Sequence, residues 1–317
     1  MKSGAEEKSV AVIGAGLIGR AWAMVFARAG WRVRITDNAP VTLAASRVFI
    51  AASLSEQAGH GLVGDPDAAL GRISFVAGLP DAVAGVDWVQ ENLPEVVEVK
   101  REVFAALDRL APPGAVLASS TSAITASRFT ESLAGRARCL VAHPVNPPHL
   151  VPVVELCGAP WTSQETLERA RQVYAGVGQV PIVVRRELDG FILNRLQGAL
   201  LSEAMRLVGE GYVSAEDLDK TVRDGLGLRW SFMGPLATIE LNAPGGVADY
   251  CARYGGFYRR LAETPATPAV WDAPNAARVA AALGDPPGRD ELDARTCWRD
   301  RRLMALAAHK RQQSKVD

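Results

Sequence analysis

Apolar positions along this chain follow two different rhythms. Up to residue 186, short apolar runs at 10–13, 31–35, 73–76, 88–90, 116–118, 139–142, 151–156 and 180–184 read as strands. Segments with apolar residues at helical spacing separate them. One opens after the first run and ends near Gly30, and others cover 41–57, 95–110, 124–133 and 163–175. The Gly-rich stretch 59–71 reads as a loop. This alternation predicts an α/β domain, a mostly parallel, doubly wound sheet covered by helices on both faces. After Arg186 the strand rhythm stops and the pattern becomes all-α. A long helix is expected over 190–210, with Phe191, Leu193, Leu196, Leu200, Leu201, Ala204 and Leu207 on one broad face. Ser214 reads as the N-cap of the next helix, with Asp217 and Asp219 in its first turns. Residues 225–235 read as a loop. The Pro- and Ala-rich stretch 265–287 reads as a segment that wraps a surface or meets a partner subunit, and 291–310 as a charged amphipathic helix. The expected domains are 1–186 and 187–317, with a cleft between them.

The first apolar run ends in Gly14-Ala15-Gly16-Leu17-Ile18-Gly19, which matches G-x-G-x-x-G between a strand and a helix. Gly14 allows a tight turn, Gly16 lets the backbone approach a pyrophosphate, and Gly19 lets helix and strand pack closely. The free N–H groups and positive dipole end of the helix then face the phosphates. The second run ends at Asp37, 18 residues beyond Gly19, where an acid meets the ribose diol. This places a Rossmann-type dinucleotide-binding domain at the start of the chain. A carboxylate at that position repels a 2′-phosphate, which favours NAD over NADP.

Charge adds mainly exclusions. Lys plus Arg and Asp plus Glu number 35 each in 317 residues, so nothing favours nucleic acid or an anionic membrane as partner. No apolar stretch approaches a membrane span, and the polar start 1–8 has no secretory core, so a cytoplasmic protein is expected. Cys139, Cys157, Cys251 and Cys297 are scattered and read as free thiols. The four histidines show no metal-ligand spacing, and no metal is expected.

Hydride chemistry needs a base, a group that orients it and donors for the carbonyl oxygen. His143 lies just past a predicted strand, where open parallel sheets bind ligands. Glu155 ends the next apolar run. A strand running back would bring its carboxylate to the ring and hold one tautomer. A capping or surface role is the alternative for each. Ser122, in the run Ser119 to Ser122 after another strand, and Asn194, in the first turns of the long helix, are candidate donors to a substrate oxygen. Turn chemistry and a satisfied core amide are their alternatives.

Together these segments resemble the 3-hydroxyacyl-CoA dehydrogenase superfamily, and within it the lambda-crystallin branch of L-gulonate 3-dehydrogenases. The resemblance runs over nearly the whole chain. It includes 18–24 (IGRAWAM), 142–148 (AHPVNPP), 190–197, 202–204, 225–236 (GLGLRWSFMGPL), 241–243 and 298–300. It implies that His143 is the catalytic histidine and Glu155 its partner, and that Ser122 and Asn194 bond the substrate oxygen. It also implies that Asn146 sits near the nicotinamide, that Leu17 and Ile18 touch the pyrophosphate through their backbone, and that Asp37 binds the ribose. Glu95 and Lys100 are further NAD contacts by resemblance; by pattern alone they read as an exposed helix start. A homodimer built on the helical domain is implied as well.

The expected reaction is NAD-dependent oxidation of a 3-hydroxyl to a 3-keto acid. Arg229 is a candidate for pairing with a substrate carboxylate, which suits a small free hydroxy acid like L-gulonate; a structural salt bridge is its alternative. L-carnitine, with an aromatic cage near Trp230, stays open. So does an acyl-CoA thioester, which the single base Arg47 in 41–57 mildly disfavours. A crystallin-like structural role is the non-enzymatic alternative.

Overall fold

The computed structural model describes residues 7–313, so of the polar start only Glu7 and Lys8 fall within it. No helix among the described residues is long and apolar enough to cross a membrane. Eight strands form one sheet: β1 (Ser9–Ile13), β2 (Arg32–Thr36), β3 (Ile73–Phe75), β4 (Trp88–Glu91), β5 (Val116–Ser119), β6 (Cys139–Pro144), β7 (Val153–Gly158) and β8 (Val180–Val184). Their order is β3-β2-β1-β4-β5-β6-β7-β8. The chain lays β2 and β3 to one side of β1 and then returns to lay β4 on the other. The strand order therefore reverses between β1 and β4, the point at which such sheets bind ligands beyond their carboxyl ends.

Helices α1 (Leu17–Arg28), α2 (Pro40–Gly59), α3 (Pro66–Gly71), α4 (Leu79–Val83), α5 (Val97–Leu110), α6 (Ser127–Thr130) and α7 (Gln164–Gly176) connect the strands. Side chains alternate across each strand, so the sheet has two separate cores. Val10 and Val12 join one with Trp88, Leu140 and Leu156. Ala11 and Ile13 join the other with Val89, Val141 and Cys157. Every pairing is parallel except β6 with β7, which is antiparallel. The segment joining β6 to β7 contains no helix, and antiparallel strands need no crossover.

Beyond β8 the chain is helical: α8 (Phe191–Gly209), α9 (Ala215–Lys220), α10 (Gly227–Trp230), α11 (Pro235–Glu240), α12 (Gly246–Leu261), α13 (Ala273–Leu283) and α14 (Arg289–Gln312). Two compact units result among the described residues, one of 7–194 with 293–313 and one of 195–292. The division falls inside α8 rather than at the expected 186/187, and most of α14 belongs with the first unit. There Met304 is buried with Leu62 and Leu150. The second unit buries little: Ala215, Thr238, Ala243, Val270 and Asn275.

Several expected loops are ordered. Within 59–71, Asp65 accepts a hydrogen bond from the Ala68 N–H and Pro66 starts α3, a capping signal hidden by the glycines. Residues 225–235 hold the end of a π-helical turn (Thr221–Leu226) and α10, despite Gly225 and Gly227. The Pro-rich stretch 265–287 carries a 3-10 turn (Pro268–Trp271) and α13, with prolines only in the first turns, where the missing N–H costs nothing. Conversely, only α6 within 124–133 is helical.

The turn after β1 shows why its glycines are needed. Gly14 has φ +90, in the left-handed region, and donates to the Thr36 carbonyl at 2.9 Å. A Cβ at position 19 would lie 1.8 Å from the Gly14 carbonyl oxygen, so α1 can pack this close only without one. Gly19→Ala is expected to destabilise the fold by about 3 kcal/mol, read as a lower urea midpoint at unchanged m-value.

Candidate active site

The antiparallel register places His143 directly opposite Glu155, and residues paired in this way present their side chains on the same face. That face is the one that carries Val141, Cys157 and Phe191 in the second core. His143 Nδ1 lies 2.8 Å from Glu155 Oε2, and both side chains are almost fully buried. The other carboxylate oxygen, Oε1, accepts from the N–H groups of Ile192 at 2.8 Å and Leu193 at 2.9 Å. These are orphan donors at the start of α8, where the helix dipole also favours a negative charge. Burial pushes the Glu155 carboxyl up. Hydrogen bonds from His143, Leu193 and Ile192 outweigh it, and the group sits below the usual carboxylate range. An ionised carboxylate only accepts, so Nδ1 carries the imidazole proton and Nε2 is left as the basic atom.

Phe191 completes this corner, and sequence reading treated it only as a core position. It is fully buried, its ring centroid is 5.5 Å from that of His143, and its φ is +47. A bulky residue in the left-handed region is costly and is tolerated where its surroundings fix it. Here Gly190 and Phe191 both have positive φ immediately before the two N–H groups that hold Glu155.

Ser122 is exposed at the surface of the same unit and is held by its backbone on both sides. Its N–H donates to Glu95 Oε1, and its carbonyl accepts from Asn194 Nδ2 at 3.0 Å. Glu95 Oε2 also accepts from the Thr121 hydroxyl at 2.7 Å. Thus Glu95, Ser122 and Asn194 lie together. Asn146 is exposed on the segment after β6.

Lys100 departs from the exposed helix start that its pattern suggests. It is 1% exposed, and its ammonium donates to both oxygens of buried Glu91 at 3.1 Å and to the Leu93 carbonyl at 3.3 Å. Ser119 and the Leu93 N–H complete the shell of Glu91. Lys100 therefore braces the turn after β4 from beneath. The sequence hid this pair because a charge at a helix start is normally solvated.

That turn abuts the glycine turn. The Asn92 side chain donates to the Ile13 carbonyl at 3.2 Å and accepts from the Ser120 hydroxyl at 2.7 Å. Ser120 in turn accepts from Trp22 Nε1 at 3.0 Å and Gln90 Nε2 at 2.8 Å, which ties α1 to β4. Asn92 and Gln90 were not legible as site residues in the sequence, and Ser120 was legible only as part of the run Ser119 to Ser122; polar side chains at the carboxyl ends of apolar strands were the available signal.

The glycine turn fits a dinucleotide. A Cβ at Gly16 would meet nothing within 4 Å, so the space over this backbone is open, in contrast with Gly14 and Gly19. Leu17 is 62% exposed, while Ile18 packs partly against the first core. Asp37 is half-buried at the end of β2 and accepts from the N–H groups of Ala15 and Ala39, both at 2.8 Å. Arg229 is exposed on α10, in the second unit.

Glu155→Gln removes the charge and turns a donor toward His143 Nδ1. It is expected to lower stability by about 2 kcal/mol at pH 7. Because the folded carboxyl is depressed, its contribution is complete above the unfolded carboxyl pKa and is lost as pH falls through the folded value. The difference between parent and variant, measured by chemical denaturation, should therefore begin to shrink as pH falls below about 4 and vanish only below the depressed folded value.

Comparison with known proteins agrees with this geometry. Residues 9–188 match the family described as 3-hydroxyacyl-CoA dehydrogenase, NAD binding domain, and residues 190–281 match its C-terminal domain. A lambda-crystallin homolog of Bos taurus is 43% identical over 308 residues, 96% of each chain. An L-carnitine dehydrogenase of Pseudomonas putida is 37% identical over 251 residues, covering 79% of this chain and 78% of its own. The solved structure of FHMPC 5-dehydrogenase, described as an NAD+-dependent dismutase, superposes with a TM-score of 0.84 at 27% identity over 97% of this chain and all of its own. The chain belongs to the 3-hydroxyacyl-CoA dehydrogenase family of NAD-dependent oxidoreductases.

Proposed function

We propose that the chain oxidises the 3-hydroxyl of a small free hydroxy acid, of the L-gulonate kind, to a 3-keto acid. The observation that carries this reading is the His143–Glu155 pair, whose geometry leaves Nε2 as the base. Bound NAD supplies the hydride acceptor. Gly14, Gly16 and Gly19, with the backbone of Leu17 and Ile18, would hold its pyrophosphate, and Asp37 its ribose. Glu95 and Asn146 would flank the nicotinamide side, and Lys100 would serve through the turn it braces. His143 Nε2 takes the hydroxyl proton. Glu155 offsets the imidazolium charge from its anchored position and needs no reorganisation to do so. Ser122 and Asn194 orient the substrate oxygen as it becomes a carbonyl. Arg229 is assigned to the substrate carboxylate, with domain roles divided as cofactor binding for 1–186 and substrate binding for 187–317.

Similarity to lambda-crystallin homologues over 96% of the chain supports the branch from which the free-acid reading comes. Carnitine is the second reading, supported by the 37% identity to a carnitine dehydrogenase and by exposed Trp230 and Phe232. A homodimer through the helical unit is also proposed. Leu196, Phe232, Leu236, Leu241 and Phe257 are exposed there, and none of the three core clusters includes a residue of 195–292. Apolar exposure of this kind on a unit without its own core calls for a partner surface.

NADH formation with L-gulonate, L-3-hydroxybutyrate, L-carnitine and 3-hydroxybutyryl-CoA tests the substrate reading. A preference for the thioester or for carnitine overturns it. His143→Asn is expected to lower kcat by about 10³-fold with unchanged NAD affinity; unchanged turnover refutes the assigned base. Light scattering on the full chain should give twice the monomer mass, and a monomer would overturn the dimer.

A further inference from the structure

A separate cavity lies in the first unit, away from the residues of the candidate active site. A cavity of about 460 Å³ opens where α14 packs on the end of α1 and on the segment that joins β6 to β7. Its lining includes neither His143, Glu155 nor any residue of the glycine turn. Leu62, Leu150, Leu303 and Leu306 form apolar walls, its polar part includes Arg28, His149 and Arg311, and none of the described lining residues is acidic.

Two of these polar groups are in an unusual state. The His149 side chain is buried, the residue being 4% exposed, and neither ring nitrogen has a hydrogen-bond partner among the described residues. A buried polar group without a partner costs free energy, so native structures normally satisfy it. Arg28 is half-buried near this ring. Its Nη1 donates to the His149 carbonyl at 2.7 Å and the Gln57 side chain at 3.3 Å, both neutral acceptors. Burial and the nearby Arg311 push its guanidinium down to about 10, which still leaves it charged at neutral pH. Arg20 and Arg299 also act on the His149 ring, and burial and these cations push it down to about 3, so the ring is neutral. The Asp300 carboxylate of this region accepts from Arg299 at 2.7 Å. A half-buried cation with no carboxylate partner among the described residues, beside further cations, favours an anion at this position.

We propose that this cavity binds a small organic carboxylate, with its head on Arg28 and the His149 ring and its short apolar body against the leucine walls. A neutral imidazole offers one N–H, and the guanidinium retains donors on Nη2 and Nε, a set that suits a carboxylate. The volume and the mixed lining suit a molecule of several carbons rather than a bare inorganic ion. Because α14 supplies one wall, occupancy also ties this helix more firmly to the sheet unit.

Sodium hexanoate is the probe, titrated calorimetrically into the full chain with n-hexanol and inorganic phosphate as comparisons. Hexanoate is expected to bind in the millimolar range or better and to raise the Tm, and hexanol is not. Arg28→Gln and His149→Leu are each expected to weaken hexanoate about tenfold or more while NADH affinity stays unchanged. His149→Leu replaces an unpartnered ring by an apolar side chain and should fold at least as well as the parent, so the test stands even if Arg28→Gln does not fold. Absence of hexanoate binding at about 20 mM, binding unaltered in the His149→Leu variant, or phosphate bound as tightly as hexanoate each overturns the proposal.

Discussion

The Glu155 carboxylate is the joint on which this site depends. One oxygen holds the His143 ring and the other holds the first two N–H groups of α8 after Phe191. Neither contact would be strong in water, where each is exchanged for solvent. Buried together, they offset the cost of a desolvated charge that neither could offset alone. The same three hydrogen bonds that keep the carboxyl ionised set the tautomer of the base. Local stability and the proposed role of His143 therefore rest on one set of contacts.

Sheet topology makes that joint possible. Six strands run parallel, as helical crossovers demand, and β7 then turns back without a crossover. The reversal sets the register that puts Glu155 beside His143, and a slip by one residue would send the two side chains to opposite faces. At the other end of the site, the order reversal between β1 and β4 brings the turns after those strands together. The buried Lys100–Glu91 pair and the Asn92–Ser120 contacts fix their relative height. Taking one partner from a buried pair of this kind leaves a bare charge, so both residues are constrained by packing even though neither reaches the surface.

The two units reach stability by different routes. The sheet unit buries most of its apolar side chains in two cores against helices that were visible as periodic segments. The helical unit keeps Leu196, Leu236, Leu241 and Phe257 exposed and buries mostly small or polar residues. Its helices satisfy their backbones locally, with Ser214 capping α9 as its position before two acids indicated. Their apolar faces lack partners within the unit, which underlies the proposed dimer.

The succession of strands and helices, the glycine turn and Asp37 at the end of β2 were legible in the sequence, while the pairing of His143 with Glu155 stood there beside a capping or surface role for each. These follow from short-range rules: side-chain period, turn conformation and the need of a returning strand for register. The sequence did not determine that Lys100 is buried, that Phe191 takes a left-handed backbone against the histidine ring, or that α14 rejoins the sheet unit around His149 and Arg28. The helical turns within 225–230 read as a loop in the sequence, because glycine content signals weak propensity and neighbouring helices override it. Each of these depends on groups distant in the chain. Burial, unlike periodicity, is decided only when tertiary contacts bring those groups together and solvent is excluded from between them.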